Sequence, residues 1–275
     1  MKSELLKTLT IDHYPFDPHY AKELRAFFGE RFLRELEADE KRELQYTTFC
    51  PLLFGNRSGS NILIHSLHQA GLGFSEHGEP MNLPSIERIS VRHGLETFTD
   101  YFLFLVRRWR KQEVAGFKIS IGQLFDLSRT GLLDPFKEIK LLHSIRRDRV
   151  AQAVSHYIAK ESGKWSSKEG EADTVIPYSA ERILQFLRRN ARQSADYELY
   201  KTIHQVEALE IVFEEFIQDP KARVSEVARF LSQAVDLEAV DLASAVTAPQ
   251  ANPLGETFAQ RFREEMRRSP PALAM

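Results

Sequence analysis

The stretch YTTFCPLLFGNRSGSNILIHSLHQAG, residues 46–71, decides the fold of this chain. Residues 46–54 are apolar and partly β-branched, a composition typical of a buried strand. Small and polar residues at 55–60 then turn the chain, and apolar or small residues from Asn61 to Ala70 share one helical face. Gly71 stands where a glycine commonly ends a helix. A strand, a loop of small residues and a helix predict the opening unit of an α/β fold.

The rest of the chain continues this alternation of strands and helices. Apolar runs predict further strands, and helical periodicity predicts the segments between them: strands over Val114–Ile121, Ile139–Ile145 and Leu209–Phe213, and helices over Leu95–Gln112, after Asp148, from about Ala180 to Val206 and from Pro220 to about Ala234. This order predicts a mostly parallel central sheet flanked by helices. Ligands of such sheets bind beyond the carboxyl ends of the strands.

The N-terminal part of the chain has a different pattern. Residues 18–44 are charge-dense, with aromatic and leucine residues at helical spacing, which predicts one or two amphipathic helices. Such helices cap a core, close over a site as a lid, or form a dimer contact, and the sequence leaves these alternatives open. We therefore divide the chain into an N-terminal helical extension, residues 1–45, and a main domain, residues 46–275.

Composition excludes several classes of protein. The 275 residues carry 37 Lys and Arg against 39 Asp and Glu, so no global basic field attracts nucleic acid. One cysteine, Cys50, excludes a disulfide scaffold and fits a reducing compartment. The apolar run Tyr101–Val106 is far shorter than the ~20 residues of a spanning helix, and the N-terminus lacks the apolar segment of a secretory signal. We expect a cytoplasmic protein without a transmembrane segment.

The loop GNRSGSN, residues 55–61, has the composition of an anion site. Small residues between a strand and a helix expose backbone N–H groups at the positive end of the helix. Arg57, Ser58, Ser60 and Asn61 add side-chain donors. The loop lacks the lysine that a nucleotide triphosphatase carries before its final hydroxyl residue. The alternative is a loop that only turns the chain.

A second basic segment follows the strand that ends at Ile145. In IRRDRVAQAVSHY, residues 145–157, Arg146 stands at the strand end and Ser155 lies nine residues later in a helix. The alternative is a solvated basic turn. Both segments follow strands, so they should lie at one edge of the sheet, and two anion sites there indicate a ligand with two separated phosphate groups.

Several motifs resemble those of a known family, the sulfotransferases. RSGSNIL, residues 57–63, resembles their 5′-phosphosulfate loop, and IRRDRVAQAVSHYIAKESGKW, residues 145–165, is similar to their 3′-phosphate segment. Residues 116–123, residues 209–231 and, more weakly, residues 249–265 resemble other parts of the family. The spacing and the trailing tryptophan are most similar to bacterial carbohydrate sulfotransferases of the mycobacterial trehalose 2-sulfotransferase type.

The resemblance implies a fold, a donor and a set of binding residues. It implies the P-loop-like sulfotransferase fold, 3′-phosphoadenosine 5′-phosphosulfate (PAPS) as donor, and no metal. Carried over by position, the residues that would hold the 5′-phosphosulfate are Arg57, Ser58, Gly59, Ser60 and Asn61. Arg146 and Ser155 would hold the 3′-phosphate. This chain departs from the family at Asn61, where threonine is usual, and at Pro249 or Leu254, where the resemblance predicts arginine.

Sulfuryl transfer to a hydroxyl group also needs a base. The resemblance places it in GFSEHGEPMN, residues 73–82, where Glu79 is the first choice and Glu76 the second. Lys118, at the end of a core strand, would stabilise the developing negative charge. The alternative is that these are surface residues. The resemblance implies a small-molecule or glycolipid acceptor, in particular a carbohydrate, and allows a homodimer.

Two other functions are compatible with the sequence. One is a P-loop-type phosphotransferase or kinase, which the missing lysine disfavours. The other is a catalytically inactive nucleotide-binding domain used for interaction, which the two glutamates disfavour. The histidines match no metal motif, so we expect no metal site.

Overall fold

Four extended stretches form one parallel sheet in the computed structural model, which describes residues 18–76, 78–165, 175–242 and 253–268. Two of the stretches are each divided into two short strands, so the strands are β1 Thr48–Phe49, β2 Leu52–Phe54, β3 Val114–Ala115, β4 Lys118–Ile119, β5 Glu138–Ile145 and β6 Glu207–Val212. All five pairings between these strands are parallel. The predicted α/β fold with a mostly parallel sheet is confirmed.

Strand β5 is the centre of the sheet. The strand order is β3-β1-β5-β2-β4, and β6 pairs with β5. The first half of β5 pairs with β1, as in Phe49 opposite Ile139, and its second half pairs with β2, as in Leu53 opposite His143. The carboxyl ends of β2, β5 and β6 therefore come together at one edge of the sheet.

The predicted strand over residues 46–54 is interrupted at Pro51. Proline has no N–H to donate to a neighbouring strand, so the ladder breaks there. The chain nevertheless keeps its direction, because the N–H groups of Cys50 and Leu52 donate to the carbonyl oxygens of Ala115 and Phe117 at 2.9 and 3.0 Å. One extended path therefore leads directly into the loop at residues 55–59.

The helices cover the sheet and link its strands. They are α1 Pro18–Phe28, α2 Ala38–Leu44, α3 Ser60–Gln69, α4 Leu83–His93, α5 Phe98–Trp109, α6 Ile121–Ser128, α7 Arg149–Ser162, α8 Ala180–His204, α9 Phe213–Gln218, α10 Pro220–Phe230 and α11 Pro253–Arg268, with a short 3-10 helix at Gly29–Arg31. Four of these helices, α4, α6, α9 and α11, were not predicted from the sequence. The predicted strand over Val114–Ile121 was wrong at the end, because Ser120 caps α6 and Ile121 begins that helix.

The N-terminal helices pack into the main hydrophobic core. Tyr20, Leu24 and Phe28 of α1 are buried in the same cluster as Phe49 and Phe102 of the main domain. The described N-terminal helices therefore cap the core. The domain boundary at residue 45 stays a prediction. Of the helices that the structure describes, none is long and apolar enough to cross a membrane.

Candidate functional site

The loop between β2 and α3 presents a helix N-terminus at the carboxyl edge of the sheet. Gly59 is the N-cap of α3, with φ +86°, and contributes no side chain to cap the helix. A Cβ atom at this position would lie 2.1 Å from Cδ2 of Phe213, so only glycine fits beneath that ring. Ser58 is buried, and its Oγ has no hydrogen-bond partner in the described part of the chain. A buried hydroxyl without a partner beside open N–H groups is suited to an anion.

The side chain of Arg57 leaves this loop towards α7. Its Nε donates to Oγ of Ser155 at 2.9 Å, and its guanidinium also donates to the carbonyl oxygen of Trp165 at 2.8 Å. Arg57 itself has a left-handed backbone, φ +63°. This turn places the predicted loop arginine beside a residue predicted for the other anion site.

Arg146 lies at the end of β5, between the loop and α9. Its guanidinium carbon is 5.3 Å from the ring centre of Phe213, the residue that also covers Gly59. Its Nε is 4.0 Å from Oε1 of Glu214 and makes no hydrogen bond within the described residues. Burial lowers the pKa of the Arg146 guanidinium, opposed by Glu214 and Asp148. A desolvated cation of this kind binds an anion more strongly than a hydrated one.

Arg57 and Arg146 line one open cavity of about 250 Å³. Four cationic side chains and two carboxylates face it, together with Ser155: Arg57, Arg146, Lys164, Arg263, Asp148 and Glu256. The cationic excess fits a ligand with more than one negative charge. The structure therefore brings the predicted Arg57, Arg146 and Ser155 together.

The C-terminal helix α11 closes one side of this cavity. Arg263 of α11 contacts both carboxylate oxygens of Asp148, the N-cap of α7, at 2.7 Å. The resemblance predicts an arginine at position 249 or 254. Position 254 is a leucine, and Pro249 lies outside the described residues. Arg263 supplies a cation nine residues beyond Leu254, which the motif comparison did not identify.

A second polar cluster adjoins the same loop at Asn61. Lys118 of β4 is only 2% exposed, and its Nζ donates to Oδ1 of Asn61 at 2.5 Å and to Oε1 of Glu79 at 3.1 Å. The ammonium also lies 4.2 Å from the ring centre of Phe54. Burial lowers the pKa of Lys118, while the Glu79 carboxylate acts in the opposite direction. Three of the predicted site residues thus meet here.

The two candidate glutamates have different surroundings. The side chain of Glu79 is one-third exposed, and its second oxygen, Oε2, accepts from Nδ2 of Asn82 at 2.5 Å. Glu76 is exposed on the surface and is not part of the cluster around Lys118. A carboxylate that is held by a buried cation, yet reaches solvent, can accept a proton from an incoming hydroxyl group.

Six charged or amide residues of these two clusters were not predicted as site residues: Asn82, Gln123, Asp148, Lys164, Glu256 and Arg263. Gln123 donates to Oδ1 of Asn82 at 3.2 Å, which connects it to the Glu79 carboxylate. One signal was available, because Ser120 and Gln123 have the S-x-x-Q spacing of a capping box. Arg263 reaches the cavity through its contact with Asp148, 115 residues earlier, which no local pattern encodes. No group of three or more potential metal ligands occurs within the described ranges.

Two solved structures are distantly similar. The sulfotransferase domain of the Synechococcus PCC 7002 olefin synthase has a TM-score of 0.46 and 16% identity, over 79% of this chain and 87% of that one. A sulfotransferase from Alicyclobacillus acidocaldarius has a TM-score of 0.42 and 19% identity, over 79% of this chain and 92% of that one. No curated protein matches the sequence.

A family model gives the decisive match. The model of the Stf0 sulphotransferases matches residues 104–265, more than half of the 275 residues. The matched range contains Lys118, Arg146 and Ser155, whereas the loop at residues 57–61 and Glu79 precede it. Because the match covers the greater part of the chain and contains the basic strand end, this chain belongs to the Stf0 sulfotransferase family.

Proposed function

We propose that this chain transfers a sulfuryl group from PAPS to a hydroxyl group of a carbohydrate or glycolipid acceptor. The observation that carries the proposal is the arrangement of two clusters around one loop. Arg57, at the start of residues 57–61, lines the basic cavity with Arg146 and Ser155. Asn61, at the end of this loop, contacts Lys118, which is paired with Glu79. The two anionic ends of the donor fit the cavity and the loop, and the transfer chemistry fits the Lys118–Glu79 pair.

The loop and the start of α3 would hold the 5′-phosphosulfate. The N–H groups at Gly59, Ser60 and Asn61 lie at the positive end of a helix, and an anion there is stabilised without a metal. The Oγ of Ser58 is buried and lacks a partner among the described residues, so an anion oxygen would satisfy it. Gly59 allows the loop to pass under Phe213.

The basic cavity would hold the 3′-phosphate. Arg146 and Ser155 keep the role that the resemblance implies, and the guanidinium of Arg57 joins them through its hydrogen bond to Ser155. Arg57 would therefore contribute its backbone to the 5′ side and its charge to the 3′ side. Arginine donors in a partly desolvated cavity are well suited to phosphate oxygens.

In the transfer step, Glu79 would act as the general base and Lys118 would stabilise charge. The acceptor O–H gives its proton to the Glu79 carboxylate while its oxygen forms a bond to sulfur. The bond from sulfur to the leaving phosphate oxygen breaks, and 3′-phosphoadenosine 5′-phosphate leaves with that electron pair. Lys118 lies between Glu79 and Asn61, where a cation opposes the negative charge that accumulates.

The acceptor class, a cytoplasmic location and a homodimer rest on the resemblance and the composition, and they stay predictions. The trehalose-like subclass belongs with them and makes trehalose the first acceptor to test.

The proposal is tested by calorimetry of 3′-phosphoadenosine 5′-phosphate against ATP, without metal. We expect micromolar or tighter binding of the bisphosphate and weaker binding of ATP. Arg57→Ala and Arg146→Ala should each weaken bisphosphate binding by about tenfold or more, because each removes a charge-assisted hydrogen-bond donor from the cavity.

Arg147→Ala is the matched control. Arg147 is adjacent in sequence, but its side chain is 65% exposed and is paired with Glu215 outside the cavity. Its loss should leave the bisphosphate affinity unchanged. Stronger binding of ATP would favour the phosphotransferase alternative. Tight bisphosphate binding without release of bisphosphate from PAPS would favour the inactive binding domain.

A further inference from the structure

The Glu79 carboxylate is connected to helix α6 by two side-chain amides. Oε2 of Glu79 accepts from Nδ2 of Asn82 at 2.5 Å, and Oδ1 of Asn82 accepts from Nε2 of Gln123 at 3.2 Å. An amide donates only from its nitrogen and accepts only at its oxygen. The Gln123 bond to the oxygen end of Asn82 therefore directs the NH₂ group of Asn82 towards Glu79.

The orientation of Gln123 is set by backbone groups, whose polarity cannot reverse. Its Oε1 accepts from the N–H of Ser120 at 2.9 Å, in the capping box that begins α6. Its Nε2 donates to the carbonyl oxygen of Met81 at 3.0 Å as well as to Asn82. A flipped Gln123 would face an N–H with its NH₂ group and a carbonyl with its oxygen, so both contacts would be lost.

The backbone next to Glu79 is held by two buried tyrosines. The hydroxyl of Tyr101 donates to the carbonyl oxygen of Pro80 at 2.5 Å, and that of Tyr20 donates to the carbonyl oxygen of Met81 at 2.7 Å. The side-chain amides of Asn82 and Gln123 therefore connect helix α6 to a backbone segment that the two tyrosine hydroxyls hold in place. The carboxylate receives a cation on one oxygen, from Lys118, and an amide donor on the other.

We propose that Asn82 and Gln123 are positioning residues that keep the Glu79 carboxylate directed for proton abstraction, with the polarity of both amides set by the cap of α6. The inference rests on the proposed function, since it takes Glu79 as the base. A hydrogen bond donated to a carboxylate restricts its rotation, which a general base in a fixed geometry requires.

Two isosteric substitutions separate this role from simple packing. Asn82→Asp keeps an oxygen facing Gln123 but removes the donor to Glu79. Gln123→Glu keeps the oxygen that caps Ser120, because glutamate serves equally at this position of a capping box, but removes the NH₂ group. Both retain side-chain size, so we expect folding to be preserved.

Each substitution should lower kcat for bisphosphate release from PAPS, with trehalose or water as acceptor, by roughly 10- to 100-fold. The KM for PAPS and the calorimetric affinity for the bisphosphate should change by less than about twofold, since neither residue contacts the donor cavity. Asn82→Ala, which removes the same donor without adding a charge, should also lower kcat without changing KM.

Gln45→Glu adds the same charge at an exposed position and should not change kcat. In a Glu79→Gln background, Asn82→Asp should not lower kcat further, because the carboxylate that it positions is gone. If Glu79→Gln abolishes turnover while both isosteric variants keep the parental kcat, the positioning role is wrong and the proposed function stands. If Glu79→Gln leaves turnover intact, the assignment of the base is wrong.

Discussion

At the scale of single residues, the choice between Glu76 and Glu79 shows what the fold adds to a motif. Both glutamates lie in one turn, three residues apart, and the motif alone ranks them without separating them. In the structure only Glu79 reaches the buried ammonium of Lys118, at 3.1 Å, and Glu76 is exposed. The difference arises from a strand more than thirty residues later in the chain.

Glu79→Gln should lower turnover of PAPS, with trehalose or water as acceptor, by roughly 10²- to 10⁴-fold, the range for loss of a general base. Glutamine keeps the size of the side chain and an oxygen for Lys118, so bisphosphate affinity should remain close to that of the parent chain. Bisphosphate release from PAPS, followed over time, measures the first quantity, and calorimetry measures the second.

Glu76→Gln is the control for this substitution, because it makes the same change at the exposed position. Its turnover should match that of the parent chain. A loss at Glu76 equal to that at Glu79 would contradict the assignment of the base.

At the scale of structural elements, helix α9 joins the two segments that we propose to bind anions. Its first residue, Phe213, lies against Gly59 of the loop after β2 and also against the guanidinium of Arg146 after β5. The next residue, Glu214, accepts from the N–H groups of Arg147 and Asp148 at 3.0 and 3.2 Å. The end of β6 thereby fixes the positions of the loops that follow β2 and β5.

Gly59→Ala should weaken bisphosphate binding and lower the free energy of unfolding by about 2 kcal/mol or more, through the left-handed backbone and the clash with Phe213. Gly71→Ala is the control, since Gly71 also has a positive φ, +79°, but a Cβ there meets nothing within 4 Å. It should lose only about 1 kcal/mol and keep its affinity for the bisphosphate. Urea unfolding and calorimetry separate the two effects, and equal losses at both positions would refute the role of the Phe213 contact.

At the scale of the whole molecule, the sequence predicted the sheet well because its strands are apolar runs followed by polar turns. The sequence also predicted Arg146 and the loop at residues 55–61 at one edge of the sheet, because both directly follow strands. It did not predict α4, although Leu83, Ile86 and Ile89 of that helix follow helical spacing and pack into the main core. It also did not predict the contact of Arg263 with Asp148, because no local spacing encodes a contact between residues 115 positions apart.

The N-terminal helices provide a test of domain organisation at this scale. Leu24→Ala, at a residue 2% exposed in the shared core, should lower the free energy of unfolding by about 2–5 kcal/mol in a single transition. Leu33→Ala, the same change at a residue 41% exposed, should lower it by less than about 1 kcal/mol. Urea denaturation followed by circular dichroism measures both. Two separate transitions would show instead that residues 1–45 unfold as an independent unit.

The contact between Arg263 and Asp148 has a consequence for selectivity. Arginines of the basic cavity already have carboxylate partners: Asp148 is bound to Arg263 through both oxygens, and Glu214 lies 4.0 Å from Arg146. An entering anion must displace these carboxylates or share the arginines with them. A small monovalent ion offers too few oxygens to do so, whereas a phosphate ester can reach several arginines at once. For the proposed bisphosphate ligand, we therefore expect discrimination to come from exchange between internal and external anions, which fits a chain whose formal charge is only −2.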